Sequence, residues 1–393
     1  MTAAGDRRIR VALVHGPGGA DRDGVADYVE HLAQALEGVG VTVLSVPIQP
    51  VNGRWLPAAA QAARAVRRLR PDVVHVQFAP SAYRFSAAPG LLPLLLPRAA
   101  PLVTTLHEYG RWSWPRRMPT AVWRSLECTG LWCRETGRLV PASDALVVTN
   151  PEHGDELAGR TGRQPVRVPL APNVDDHGGA EEARRRWRRR LGLGPDGELL
   201  VFFGFVHPVK GVRYLLEALA ALRTARPDVR LLVVGGFTSQ ALPEAEAQAF
   251  RAELDEICRR HGLTDLVTFT GHLPAPEVSA ALHAADVVVL PFTTGVTTKS
   301  GALLAALAHG RPTAVTAAEP PDPHLRPDHT VAVIPARRDA TAIAATVGRL
   351  LDDPGLRHRL SVTGRRFAGR RSWPSVAAAH RRLYDRLLGL SDG

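Results

Sequence analysis

Two stretches of this chain put glycines where a helix is about to begin, the second with hydroxyls and a lysine as well. In the first, His15-Gly16-Pro17-Gly18-Gly19 follows an apolar run and continues to Gly24, where a helical pattern starts. Glycines let backbone N–H groups approach a ligand, and a helix start carries partial positive charge, so this loop suits a phosphate. The second runs from Pro291 to Ala305, with Gly295, Thr298, Lys299, Ser300 and Gly301 leading into an Ala- and Leu-rich helix. Backbone donors, hydroxyls and the Lys299 ammonium there form an anion nest. A further lysine, Lys210, precedes Gly211 in another loop. His107 follows the strand-like Leu102 to Leu106, so it falls at the end of a sheet where side chains reach ligands.

Other chemistries lack their parts. A dinucleotide fingerprint needs a tighter glycine pattern and an acidic residue ending the second strand, which here reads Leu44-Ser45-Val46-Pro47. Cys128, Cys133 and Cys258 have no metal spacing and cannot all pair, which fits unpaired thiols in a reducing compartment. No metal ligand set and no hydrolase-like carboxylate pair stands out.

The elements behind these loops alternate. Short β-branched runs followed by helical periods are the signature of βα units winding a parallel sheet. The first half predicts strands at Arg10 to His15, Val41 to Val46, Val73 to Gln77, Leu102 to Leu106, Ala145 to Thr149 and Val166 to Leu170. Val25, Val29, Leu32, Ala33 and Leu36 form the stripe of a helix that packs on the sheet. Ala171 to Gly197 breaks the rhythm with prolines, glycines and an arginine-rich run, and reads as a linker. Strands then resume at Leu199 to Phe203, Arg230 to Val234, Val267 to Thr270, Val287 to Leu290, Thr313 to Thr316 and Val331 to Ile334. Two open parallel sheets, each binding at the carboxyl ends of its strands, would enclose one cleft if they faced each other.

At 393 residues the chain is long enough for two domains. Its 45% hydrophobic and 22% charged composition leaves no room for a disordered majority. The net charge of +11 favours anionic partners without choosing among phosphates, nucleic acid and acidic lipid. The longest apolar stretch, Ala87 to Leu96, is broken by Pro89 and Pro93 and is too short to span a bilayer. Met1 to Arg10 is polar and offers no apolar signal region, so a cytoplasmic location is expected.

From Gly24-Val25-Ala26-Asp27-Tyr28 and Pro71-Asp72-Val73-Val74-His75-Val76 onward, the chain resembles the retaining glycosyltransferases of family 4. Further stretches match in order: Thr104 to Glu108, Ala145 to Thr149, Ala171 to Asp175, Phe203-Gly204 through Lys210-Gly211, Val233 to Gly236, Phe269 to Gly271, Ala285 to Pro291 and Ala306 to Pro312. Ser372-Trp373-Pro374 and the helix to Leu388 complete the match.

The resemblance implies a GT-B fold: an acceptor-binding Rossmann-like domain over 1–172, a linker over 173–198, a nucleotide-sugar-binding Rossmann-like domain over 199–360, and a C-terminal helix within 361–393 that crosses back to the first domain. It implies transfer of a hexose-type sugar from a nucleoside diphosphate to a hydroxyl acceptor, with no cofactor or metal. His107, Lys210 and Lys299 are the expected catalytic residues. Gly24, Gly204, Gly236, His272, Gly295, Thr298, Ser300 and Gly301 are expected at the donor, and Gly19, Asp27 and Tyr28 at the acceptor. Three departures stand out. Phe205 replaces a usual arginine, and Thr297 and Ala305 replace two usual glutamates. A catalytically silent nucleotide-sugar-binding protein and a GT-B epimerase therefore stay as alternatives.

Trp112, Trp114, Trp123 and Trp132 cluster with Arg111, Arg116, Arg117, Arg124 and Arg134. This mixture suits a peripheral membrane contact, a sugar-stacking wall or an aromatic acceptor, against a helical insertion that packs its tryptophans inward. No nucleic-acid module accompanies it. The oligomeric state is left open.

Overall fold

Among the described residues twelve strands form, all within a residue or three of the expected bounds: β1 Ile9–His15, β2 Val41–Pro47, β3 Val73–Phe78, β4 Leu102–Leu106, β5 Ala145–Val148, β6 Val166–Arg167, β7 Leu199–Phe203, β8 Arg230–Val234, β9 Val267–Gly271, β10 Val287–Leu290, β11 Thr313–Thr316 and β12 Ala332–Ile334. The computed structural model describes residues 8–18, 24–97, 99–110, 112–115, 117–194, 196–237 and 244–390. Gly19 lies outside them.

The chain divides into two compact units, one of residues 1–170 and 373–393, the other of residues 171–372. In the first, six parallel strands lie in the order β2-β1-β3-β4-β5-β6. Every side chain of β3 and β4 is buried, as befits strands covered on both faces. Val74, Val76, Phe78 and Leu106 feed an apolar core on one face. His75, Gln77 and Thr105, at the alternate positions, are fully buried as well. The helix Gly24–Glu37 buries Tyr28, Val29, Leu32 and Leu36. It packs with the C-terminal helix Trp373–Leu387, which buries Trp373, Val376, Ala377, His380, Leu383 and Tyr384.

In the second unit the order is β12-β11-β10-β7-β8-β9, again parallel. The chain winds outward from β7 to β9 and then restarts on the other side at β10. The β7/β10 junction is therefore a topological switch point, where the loops leaving neighbouring strands diverge and leave a crevice. Residues 171–198 depart from the expected linker. They belong to the second unit, and the helix Ala180–Arg190 buries Ala183 and Trp187 against Ala275–Ala284. Arg184 and Arg188 pair with Asp286, whose carboxylate also accepts from the Leu199 amide. The arginine run thus reads as surface from its charge, yet its inner members anchor β7. Likewise the helix Pro354–Ala368 stays with the second unit, and only Trp373 onward joins the first.

Among the described residues no helix is long and apolar enough to cross a membrane.

Candidate functional site

Lys210 stands at the switch point, in the short helical turn Pro208–Lys210 after β7. Its ammonium lies 3.8 Å from the centre of the Phe292 ring, which belongs to the loop after β10. The two loops are tied together: the Thr293 amide donates to the Val209 carbonyl at 2.9 Å, and the Thr293 hydroxyl to the same oxygen at 3.2 Å. Gly211 has φ +73°, and a Cβ there would overlap the Pro291 carbonyl, so only glycine lets the loops close. Burial lowers the Lys210 pKa to about 8. No carboxylate pairs with its ammonium among the described residues. His207 caps the turn by accepting from the Val209 amide, and burial together with the Lys210 charge lowers its pKa.

Around Lys210 the expected donor residues separate into two kinds. Gly204, Gly235 and Gly236 line the ends of β7 and β8. Gly235 has φ +146°, and a Cβ on it would overlap the Gly204 carbonyl. Gly236 lies beside the exposed His272, with 3.9 Å between the site of its absent Cβ and the His272 Cβ. Gly301 opens the helix Gly301–Ala308 next to the Asn173 amide, whose Oδ1 is buried without a hydrogen-bond partner. The amides of Gly204 and Gly235 donate to the Val234 and Gly271 carbonyls, so these glycines supply close backbone approach rather than free donors.

Thr298, Ser300 and Gly295 instead shape the loop. The Thr298 amide and hydroxyl both donate to Asp322 Oδ2 at 2.8 Å. The Ser300 hydroxyl accepts from the Leu303 amide as the helix N-cap. Gly295 is packed against the backbone of Ala317 and Ala318. The hydrogen bonds of Thr298 and Ser300 and the packing of Gly295 hold the loop in shape. Lys299 is half-buried on the same loop, between Thr298 and Ser300. Both lysines belong to the second unit; of the expected phosphate-facing helix starts, only that of Gly24 belongs to the first.

In the first unit, His107 follows β4 and is half-buried. Its Nε2 lies 2.8 Å from Gln77 Oε1, and its ring meets Tyr28 edge-on at 4.7 Å. Burial, with smaller contributions from His153 and His380, holds its pKa down to about 3, so the imidazole is neutral. Tyr28 is 5% exposed, and its hydroxyl is buried without a partner. It packs edge-on against His107. Asp27 is half-buried in the first helical turn, its carboxylate 3.4 Å from His31. Gly24 is exposed at the helix start. Glu108 binds Ser81 through the serine hydroxyl and amide, as a turn cap does.

The Trp/Arg segment is held by buried ions. Arg160 pairs with Glu127 and Glu135, and Arg134 adds to Glu127 at 2.8 Å. Burial alone would raise the Glu127 carboxyl, but hydrogen bonds from Arg160 and Arg134 outweigh it and lower its pKa. At Glu135 burial wins, and the pKa is raised despite Arg160. Trp123 packs inward at 3% exposure, whereas Trp114 stays 49% exposed.

One group has the composition of a metal site: Asp176, His283 and His309, with ligand atoms within 4.8 Å of one another. Each of the three is already engaged in a hydrogen bond. His283 Nε2 meets Asp176 at 2.7 Å, while His309 joins the Ala305 carbonyl and the Ser279 hydroxyl, both at 2.8 Å.

Sequence spacing missed Phe292, His207, Asn173, Gln77 and Asp322. The alternation Val74-His75-Val76-Gln77 within an otherwise apolar strand was the signal available for Gln77.

Comparison with known proteins agrees with this geometry. Residues 3–177 match the family model described as Glycosyltransferase Family 4, and residues 197–353 match Glycosyl transferases group 1. A D-inositol 3-phosphate glycosyltransferase of Streptomyces bingchenggensis is 31% identical over 63% of this chain and 54% of its own length. The chain thus spans about half of that relative. Its counterpart in Streptomyces coelicolor is 27% identical over 96% of this chain and 90% of its own. Sucrose-phosphate synthase from Thermosynechococcus elongatus superposes with a TM-score of 0.73 at 20% identity, covering 98% of this chain and all of that one. Anabaena HepE in complex with UDP and glucose gives 0.69 at 16%, with the same coverage. The two units carry the GT-B fold, and the chain belongs to the group 1, family 4 glycosyltransferases.

Proposed function

We propose that this protein is a retaining glycosyltransferase that moves a hexose-type sugar from a nucleoside diphosphate to a hydroxyl acceptor. The observation that carries this reading is the Lys210 ammonium, partly desolvated and without a carboxylate partner, at a glycine-lined switch point. A cation held there in advance stabilises the charge that gathers on a departing diphosphate. Lys299 and the Gly301 helix start add positive potential to the same end of the sheet, and Gly236 with His272 forms the base side. The lysines thereby supply the charge that a metal would, so turnover survives chelation. His107 and Asp27 serve the acceptor and transferred sugar.

The names of the relatives put a phosphorylated polyol first among acceptors, and the UDP and glucose of HepE put UDP-glucose first among donors. A thermal-shift screen with UDP-, GDP-, ADP- and TDP-sugars, followed by transfer to inositol 3-phosphate and other hydroxyl acceptors, tests the reading. Stabilisation by one donor and a retained anomeric configuration in the product support it; no stabilisation by any donor sinks it. Ala305, fully buried where the family usually has a glutamate, favours a second reading, a silent sugar-nucleotide binder. Donor binding without transfer to any acceptor would select it, and donor conversion without acceptor would select an epimerase.

Exposed Phe85, Trp114 and Leu131, with Arg117 and Arg124, suit a peripheral contact with an anionic bilayer on the cytoplasmic side. Co-sedimentation with anionic but not neutral vesicles is the expected result, and equal recovery with both would remove that contact.

A further inference from the structure

The buried face of β3 and β4 carries a polar chain that the fold does not need. The Tyr384 hydroxyl lies 2.7 Å from His75 Nδ1, and His75 Nε2 lies 2.7 Å from the Thr105 hydroxyl. Gln77 Nε2 is 3.2 Å from His75 Nε2, and Gln77 Oε1 is 2.8 Å from His107 Nε2. Tyr384, His75, Gln77 and Thr105 are all fully buried. Apolar residues in their places would stabilise the sheet at least as well, so such a network points to a specific task.

Its hydrogens have a defined direction. An amide oxygen only accepts, so His107 Nε2 carries the hydrogen and donates it to Gln77. The amide nitrogen only donates, so His75 Nε2 is the lone pair, and His75 Nδ1 donates to the Tyr384 oxygen. In neutral His107 the remaining nitrogen, Nδ1, is then a lone pair. Nδ1 is not among the buried atoms lacking a partner, and it sits at the carboxyl end of β4. The Tyr28 ring packed edge-on prevents the imidazole from turning over freely.

We propose that Gln77, His75 and Tyr384 are positioning residues that hold His107 as its Nε2–H tautomer, presenting Nδ1 as an acceptor to a substrate hydroxyl. The C-terminal helix, by supplying Tyr384, thereby sets the polarity of a group at the mouth of the first sheet. This rests on the transferase reading for the identity of the hydroxyl, but the tautomer itself is measurable without turnover.

Nitrogen-15 NMR of the histidine-labelled full chain at pH 7 is expected to show His107 Nδ1 unprotonated and Nε2 protonated. A protonated Nδ1, or an averaged pair of tautomers, overturns the proposal. Gln77→Met keeps the volume but removes both bonds. It should average the His107 tautomers and lower donor turnover about tenfold, roughly the worth of one hydrogen bond, with donor KM within about twofold. Gln77→Glu can still accept from Nε2, so it should keep the tautomer while raising the imidazole pKa and adding an acid limb to the pH profile. Among the described residues, the titratable groups that act on or touch His107 are His75, His153, His380 and Tyr28, and none of these is a carboxylate. Tyr384→Phe reads the chain from its far end, with a weaker shift in the same direction. A single unchanged tautomer with full turnover in Gln77→Met and Tyr384→Phe overturns the proposal. Absence of transfer by the wild-type chain would count against the transferase reading and leave the tautomer result standing.

Discussion

In the proposed reading, Lys210 is the residue on which the donor site turns. Removing it as Lys210→Met should lower turnover by about 10²- to 10³-fold, the usual worth of one preorganised charge, while melting stays nearly unchanged. A variant with full activity would show that its ammonium faces something other than the leaving diphosphate. The depressed pKa gives a sign as well. Lys210 is charged below about 8 in the free protein, so kcat/KM should fall as the pH rises through that value. Lys210→Arg should abolish that limb, because a guanidinium stays charged. The proposed chemistry of Lys210 and His107 rests on residue type and strand-end position, both legible in the sequence. Their supports were not. Nothing in the one-dimensional order brings Phe292 under Lys210 or Gln77 against His107, since both contacts cross between strands.

Among the elements, the segment of residues 117–138 depends on ion pairs as well as on apolar packing. Arg160, from the helix Pro151–Thr161, neutralises both Glu127 and Glu135. Arg160→Ala would leave the buried Glu135 without a cation and Glu127 with Arg134 alone, and should cost about 3–5 kcal/mol, read as a lower denaturation midpoint of the first unit. A loss under about 1 kcal/mol would mean the glutamates find water instead. The C-terminal helix depends on Trp373, which stacks on His31 at 5.0 Å and meets Tyr28 at 5.2 Å. Trp373→Ala should cost about 3–5 kcal/mol. It should also loosen Tyr28 beneath His107, so activity would fall at temperatures where the fold is still intact. The sequence identified that helix and its return to the first domain through family resemblance. It placed the second-unit boundary poorly, because the arginine-rich helix Ala180–Arg190 buries few but decisive side chains.

For the molecule as a whole, buried neutral histidines set the acid limit. Burial lowers the pKa of His107 to about 3 and of His380 to about 4, and that of His75 well below its ordinary value. Each folded pKa lies below the unfolded value, so the unfolded chain binds more protons as the pH drops below about 6.5. Their contribution to stability is therefore complete above that pH and is lost progressively from about 6.5 towards 3. A melting temperature that falls between pH 7 and 5, and falls less in His380→Phe, is the expected result; a flat profile would mean that these imidazoles protonate within the fold. Donor should act on the second unit. At a concentration 100 times Kd it should add about 2.7 kcal/mol there.

What the amino-acid order settled alone was local: twelve strands, the helix over Gly24–Glu37, the glycine and lysine loops, and a family likeness distributed along the chain. These follow from periodicity, turn chemistry and residue type, all of which act over a few neighbours. The tertiary structure decided which of those groups are free to meet a ligand. Thr298, Ser300 and Tyr28 looked available as types, yet Asp322, a helix amide and burial in the core have already claimed them. A hydroxyl can serve a ligand only if no closer partner has taken it, and that competition is fought between residues far apart in the chain.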